Sequence, residues 1–380
     1  MAALAPLDAA VLPPGIRARF VPGINGLMMH VLEAGFEPPG QPLVLLLHGF
    51  PELAYSWRHV MPALAAVGFH VVAPDQRGFG RTTGWDDRYE AELAPFGLLR
   101  LASDAVALLF ALGHRAAAVV GHDSGASVAA CCALARPDLF RRAALMSAPF
   151  TGPPPPGGAP PAAEDIHAAL AALDPPRVHY QWYFSTPQAN ADMHRPPQGL
   201  HAALRAYYHH KSADWPGNRP FPLAGWTAAE LAKLPTYYVM DRRRTMPENV
   251  AAEMPTAAQI AACTWLPERE LAVCAAEYAR TGFQGGLNWY RNRTTGRHAQ
   301  DLALFAGRTI DVPAIFVAGA QDWGIHQVPG AMERMQHHAF TRMAGCHLIP
   351  GAGHWVQQER PEAVVAVLLP FLCAGGNAQE

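Results

Sequence analysis

The chain has 380 residues, 50% of them hydrophobic and 16% charged, with a formal net charge of −2. That length suffices for a large core, or for one core carrying an inserted domain, and the balanced charge argues against nucleic acid or a membrane surface as partner. No run approaches the ~18 apolar residues of a membrane span, and residues 1–15 lack the basic and apolar regions of a signal peptide, so the expected location is the cytoplasm.

Residues 1–15 read as an Ala/Pro arm. Residues 17–21 and 27–34 read as strands joined by a hairpin turn at Gly23-Ile24-Asn25-Gly26. The run PLVLLL at 42–47 is continuously apolar, as suits a strand buried on both faces of a parallel sheet. It ends in HGFPE at 48–52. A helix is expected over 54–66 and a second buried strand over 70–74, ending in DQRGFGRT at 75–82. Residues 97–112 read as a helix closed by Gly113. A strand over 116–120 turns on glycine and restarts as an Ala-rich helix through 134, and 142–147 is a further strand. Strands alternating with helices imply a mostly parallel, doubly wound α/β sheet. Such sheets bind ligands beyond the carboxyl ends of their strands, where each of these motifs lies.

Composition changes after residue 150. Residues 151–163 are rich in Pro and Gly, with four consecutive prolines, and read as a linker or loop. Residues 164–305 are helical in pattern and hold eight of the ten tyrosines. They are expected to form a helical insertion over the carboxyl ends of the strands. The α/β pattern then returns. A strand over 313–318 ends in Gly319-Ala320-Gln321-Asp322, residues 330–337 read as a helix, and a short strand at 347–350 leads into Gly351-Ala352-Gly353-His354-Trp355. Pro361 opens a last helix through 369. The expected division is a core of 1–150 and 306–380 with a cap of 151–305. The six cysteines show no CxxC or metal-type spacing, and the pairs His209-His210 and His337-His338 have no further ligands nearby. No metal and no cofactor are expected.

The stretch Gly121-His122-Asp123-Ser124-Gly125 lies between strand and helix, where a small-x-nucleophile-x-small run marks a nucleophile elbow. The turn is so tight that its flanking residues must be small. With Asp123 at the tip the flanks are Gly121 and Gly125. With Ser124 at the tip one flank is His122, which does not fit. The nucleophile is therefore expected to be a carboxylate. Asp322 and His354 follow in the chain order nucleophile, acid, base, the order of an α/β-hydrolase fold. Histidine suits the base because it titrates near neutrality, and Asp322 would orient it. His347 is a rival base, but it falls within a strand pattern. A carboxylate attacking saturated carbon forms an ester, and His354 would activate water against that ester. The backbone N–H groups of Phe50 and Ser124 are placed to hold the resulting oxyanion.

HGFPE at 48–52 with YSWR behind it, DQRGFGRT at 75–82, GHDSG at 121–125, YQ at 180–181, NWYRN at 288–292 and GHW at 353–355 together resemble the epoxide hydrolases of the α/β-hydrolase superfamily, over nearly the whole chain. The resemblance implies a small-molecule epoxide as substrate and a vicinal diol as product, made through a covalent Asp ester. It implies that two cap tyrosines bind the epoxide oxygen, and Tyr180 and Tyr290 match those motifs. Gln181 and Trp182, beside Tyr180, and His48 are expected to contribute to substrate binding. Many members of that family carry Trp after the nucleophile, where this chain has Ser124. The alternative is a haloalkane or haloacid dehalogenase using the same Asp–His–Asp set, against which Tyr290 and Glu52 argue. An esterase is disfavoured by the elbow register, and a non-catalytic binding protein by the intact trio.

Overall fold

A computed structural model describes residues 4–155 and 165–374. Apolar runs and turn residues divide its core into β1 (Ile16–Ile24), β2 (Leu27–Ala34), β3 (Leu43–Leu47), β4 (His70–Pro74), β5 (Ala117–His122) and β6 (Phe140–Met146). A short pair follows, β7 (Arg177–His179) and β8 (Val239–Asp241), and then β9 (Ala314–Gly319) and β10 (Met343–Ile349). Eight strands form one sheet in the order β1-β2-β4-β3-β5-β6-β9-β10. The β1–β2 and β2–β4 pairs are antiparallel and the rest are parallel.

The sheet separates two apolar layers because successive side chains point to opposite faces. Val44, Leu46, Val120 and Val317 pack with Met61 and Leu64 of helix α1 (Met61–Ala66) and with Val364 and Leu368 of the helix Pro361–Cys373. Leu45, Leu47, Val119 and Phe316 pack with α2 (Leu98–Ala111) and α3 (Ser124–Ala135). Every residue of β3 and β9 is buried, which is why those strands read as unbroken apolar runs.

Several elements differ from the sequence reading. The helix expected over 54–66 is broken into a 3-10 turn, Ala54–Trp57, and α1. Pro62 accounts for the break: it has no N–H for the carbonyl of Arg58, and its ring would collide with that carbonyl in a continuous helix. The hairpin turn is tighter than expected. β1 runs to Ile24, and only Asn25 (φ 50°) and Gly26 (φ 86°) form the turn, both left-handed as a two-residue hairpin requires. The expected helix over 330–337 is an α-turn, Ala331–Arg334, continued by a π-turn, Met335–Ala339. β10 begins earlier than expected, and the last helix continues to Cys373 with Pro370 inside it.

Between β6 and β9 the chain is helical, as its pattern suggests, but it also contains the antiparallel pair β7–β8. Most of the Pro/Gly-rich stretch expected at 151–163 lies outside the described residues. The helical segment docks on the carboxyl ends of the core strands. Its helix Gln284–Thr294 meets the 75–82 loop so closely that a Cβ on Gly78 or on Gly285 would collide with the backbone of the other. Trp289 Nε1 also donates to the Arg77 carbonyl at 2.9 Å. Among the described residues no helix is long and apolar enough to cross a membrane.

Candidate active site

Asp123 sits at the tip of the β5–α3 turn with φ 53° and ψ −122°, a conformation that a side chain rarely adopts. The flanking glycines explain how the turn closes. A Cβ on Gly121 would land on the carbonyl of Gly125, and one on Gly125 would land on the carbonyls of Leu47 and His48. The elbow is thus wedged against the end of β3, which carries Phe50 into the site. The Phe50 N–H donates to Asp123 Oδ1 at 3.1 Å, and the Ser124 hydroxyl donates to the same oxygen at 3.0 Å. The sequence reading assigns Ser124 a part only through its N–H, and the structure adds the hydroxyl contact.

The other oxygen, Oδ2, faces His354 Nε2 at 3.4 Å. His354 Nδ1 lies 3.1 Å from both oxygens of Asp322, so the imidazole is held from behind and presents Nε2 to Asp123. Asp322 is fixed in turn by the Gly324 N–H at 2.7 Å. Burial opposes charge on both aspartates, but their environment outweighs it. The His354 contact and the charges of Lys211 and His122 hold Asp123 below the usual carboxylate range. His354, the Gly324 N–H and Lys211 do the same for Asp322.

Four residues that the sequence reading did not assign support this trio. Glu52 accepts from His122 Nδ1 at 2.6 Å and from the side-chain amides of Gln357 and Gln358 at 2.8 and 2.9 Å. His122 Nε2 reaches the His354 carbonyl at 2.7 Å, so the Glu52–His122 pair grips the loop that carries His354. Glu359 accepts the N–H groups of Gly353 and Trp355, on either side of His354, and that of Ala213. Lys211 is buried among Tyr207, Tyr237, Tyr238 and Trp355, with Nζ between 4.9 and 5.7 Å from the ring centres. Glu52 and His122 were legible as parts of motifs. Lys211 sits in the run YYHHK, where nothing marks one lysine as buried.

Tyr180 and Tyr290 are each 5% exposed, with ring centres 5.7 Å apart. Burial and the charge of Asp123 push both phenols above their ordinary range, so both stay protonated at neutral pH. Tyr180 lines a cavity of about 220 Å³ together with Asp123, Ser124 and Gln181. Tyr290 lines a small adjoining cavity that also touches Ser124. Two of the expected substrate contacts lie elsewhere. His48 is fully buried beneath the site: its Nδ1 meets the Gly49 carbonyl at 2.8 Å and its Nε2 the Gln76 N–H at 3.1 Å, so the ring is consumed in joining two loops. Trp182 turns away from the cavity and packs on His167 and His179, at 4.0 and 5.4 Å between ring centres.

Residues 42–171 match the family model of the alpha/beta hydrolase fold. Epoxide hydrolase A of Mycobacterium tuberculosis is 37% identical over 356 residues, covering 92% of this chain and 95% of that protein. Epoxide hydrolase B of the same organism is 36% identical, covering 88% and 93%. A solved epoxide hydrolase from an endophytic Streptomyces superposes with a TM-score of 0.75 at 31% identity, covering 97% of this chain and 98% of that one. Epoxide hydrolase A of Mycobacterium thermoresistibile superposes with a TM-score of 0.72 at 34% identity, covering 94% and 98%. The chain belongs to the epoxide hydrolases of the α/β-hydrolase fold.

Proposed function

We propose that the enzyme hydrolyses a small epoxide to a vicinal diol through a covalent ester on Asp123. The observation that carries this reading is the placement of two buried phenols, Tyr180 and Tyr290, with ring centres 5.7 Å apart and the charge of Asp123 acting on both. Asp123 Oδ2 attacks an oxirane carbon, and the carbon–oxygen bond breaks. The leaving alkoxide is too basic to leave free at neutral pH, and a phenol proton satisfies it. Oδ1 becomes the ester carbonyl, already facing the Phe50 N–H and the Ser124 hydroxyl. His354 then takes a proton from water, and the hydroxide adds to the ester carbon. Asp322 stabilises the imidazolium, while the donors around Oδ1 hold the oxyanion. Collapse releases the diol and regenerates Asp123. The proton held by His354 restores the phenol.

In this scheme residues 151–305 act as a cap that supplies the two phenols to a core of 1–150 and 306–380, and Gln181 lines the substrate cavity. Its Nε2 donates to Tyr180 Oη at 3.2 Å, leaving the phenol proton free for the epoxide. Six free cysteines suit a reducing compartment, which supports the cytoplasm as the location.

The test compares a terminal epoxide with the matching 1-haloalkane. Halide is a weak base and gains nothing from a phenol, so this site should yield diol from the epoxide and little or no halide. Tyr180→Phe and Tyr290→Phe should each slow diol formation by roughly 10²–10³, the loss of one transition-state hydrogen bond. Halide release that matches diol formation would overturn the assignment.

A further inference from the structure

Arg293 lies three residues beyond Tyr290 on the helix Gln284–Thr294, so both side chains leave the same face. It lines the 220 Å³ cavity with Asp123, Tyr180 and Gln181, and also the small cavity with Tyr290. Its neighbour Arg291 is tied down, bonded to the Tyr89 carbonyl and to Asn288 Oδ1 and stacked 3.8 Å above the Tyr89 ring. Arg293 is different. Among the described residues it has no ion pair, and its guanidinium donates no hydrogen bond to protein. The guanidinium, half-buried at the cavity wall, thus keeps its five donors free for a bound group.

The charge layout of the two cavities is simple. Among the described residues that line them, Asp123 is the one acid and Arg293 the one permanent cation. His298 lines both, but burial and Arg293 itself push it down to about 3, so its ring is a neutral hydrogen-bonding group. Ser127 and Gln181 add further donors on the same walls. A purely apolar epoxide would cover the guanidinium and leave its donors unmatched. A substrate bearing one carboxylate would match them, because the planar fork of arginine accepts a carboxylate through two parallel bonds. Three residues of helix separate Tyr290 from Arg293 by about 4.5 Å along the axis. The carboxylate therefore belongs a few carbons from the oxirane, clear of Asp123.

We propose that the preferred substrate is an epoxy acid, a small epoxide whose carboxylate is held by Arg293 while Asp123 attacks the ring. This rests on the epoxide hydrolase reading above and adds the substrate class to it. The same guanidinium offsets the repulsion between Asp123 and an anionic substrate, so the preference weakens as salt screens it.

The test compares 5,6-epoxyhexanoate with its neutral isostere, 5,6-epoxyhexanamide. The wild-type enzyme should favour the acid by about tenfold or more in kcat/KM, chiefly through KM, with the ratio falling at high ionic strength. Arg293→Met should erase that ratio by lowering kcat/KM for the acid far more than for the amide, and Arg293→Lys should keep part of it. Calorimetric binding of 5,6-dihydroxyhexanoate against the corresponding amide gives the same comparison without turnover. If the amide is hydrolysed as well as the acid, or if Arg293→Met harms both equally, the epoxy-acid inference falls while epoxide hydrolysis stands. If neither epoxide yields diol, the parent reading falls. Equal binding of the dihydroxy acid and its amide would then overturn the carboxylate site as well.

Discussion

Asp123 and His354 are asked to act in different half-reactions, and that division is measurable. Ester formation needs Asp123 and a phenol. Ester hydrolysis needs the imidazole, whose Nε2 lies 3.4 Å from Asp123 Oδ2. In His354→Ala, mixing with an epoxide should leave an adduct on Asp123, read as a mass increase equal to the substrate. An unmodified protein, with an epoxide that the wild type consumes, would argue against the covalent route. Lys211 makes a separate prediction about pH. Burial lowers it from 10.5 to about 8, although Asp123, Asp322 and Glu52 pull the other way. Between those two values the unfolded chain binds a proton that the folded chain lacks, so this group's contribution to stability rises with pH across the window. Urea unfolding from pH 7 to 11 should show the wild type gaining on Lys211→Met between about 8 and 10.5. Parallel profiles would mean that Lys211 titrates normally. The identity of the elbow residue was legible at this scale because steric exclusion acts over five consecutive positions. The burial of Lys211, and the turning away of His48 and Trp182, depend on partners far along the chain. No local pattern encodes them.

Elements were legible where one local rule dominates and illegible where two compete. The buried strands β3 and β9 announce themselves by unbroken apolar runs. In residues 54–66 the apolar pattern favours one helix, but Pro62 divides it. The strands β7 and β8 have three residues each, too short for an alternation to register. The loop between β10 and the following helix Val356–Glu359 shows how an element can serve the site from outside it. Glu359 takes three backbone N–H groups at 2.8 to 2.9 Å, two from the His354 loop and one from Ala213 in the helical segment. Glu359→Gln sets an amide NH₂ against at least one of those N–H groups, at a cost of about 1–3 kcal/mol. The loop carrying His354 should loosen, while Asp123, Phe50 and the phenols keep their places. Single-turnover kinetics should therefore show slower ester hydrolysis, with ester accumulating, and an alkylation rate near that of the wild type. Equal slowing of both steps would assign Glu359 to general stability alone.

On the scale of the whole molecule, the α/β core and the helical segment are joined by contacts between residues some two hundred positions apart. The Tyr208 hydroxyl donates to the Pro51 carbonyl at 2.8 Å, and the Tyr278 hydroxyl to the Glu52 carbonyl at 3.2 Å. Both carbonyls belong to the loop that presents Phe50 to Asp123. Arg58, 1% exposed, donates to Glu270 through Nε at 2.8 Å and Nη2 at 2.5 Å, and to Gln358 Oε1 at 2.8 Å. One guanidinium thus binds the core, the helical segment and the helix after His354 together. The sequence shows Arg58 only as part of a motif, because its partners lie at separations of 212 and 300 residues. Such coupling predicts one cooperative unfolding transition, with near- and far-ultraviolet dichroism changing together. Arg58→Met leaves Glu270 with the partly exposed His59 at 3.2 Å and the exposed Arg269 at 3.6 Å, and strips Gln358 of its donor. Removing one partner from a buried pair of this kind costs roughly 3 kcal/mol. The variant should therefore unfold at lower denaturant. If docking through Arg58 is what couples the two parts, the two dichroism signals should also separate, with the aromatic signal of the tyrosine-rich segment lost first. A variant that loses stability yet keeps coincident transitions would place the coupling instead in the buried tyrosines and the Gly78–Gly285 contact.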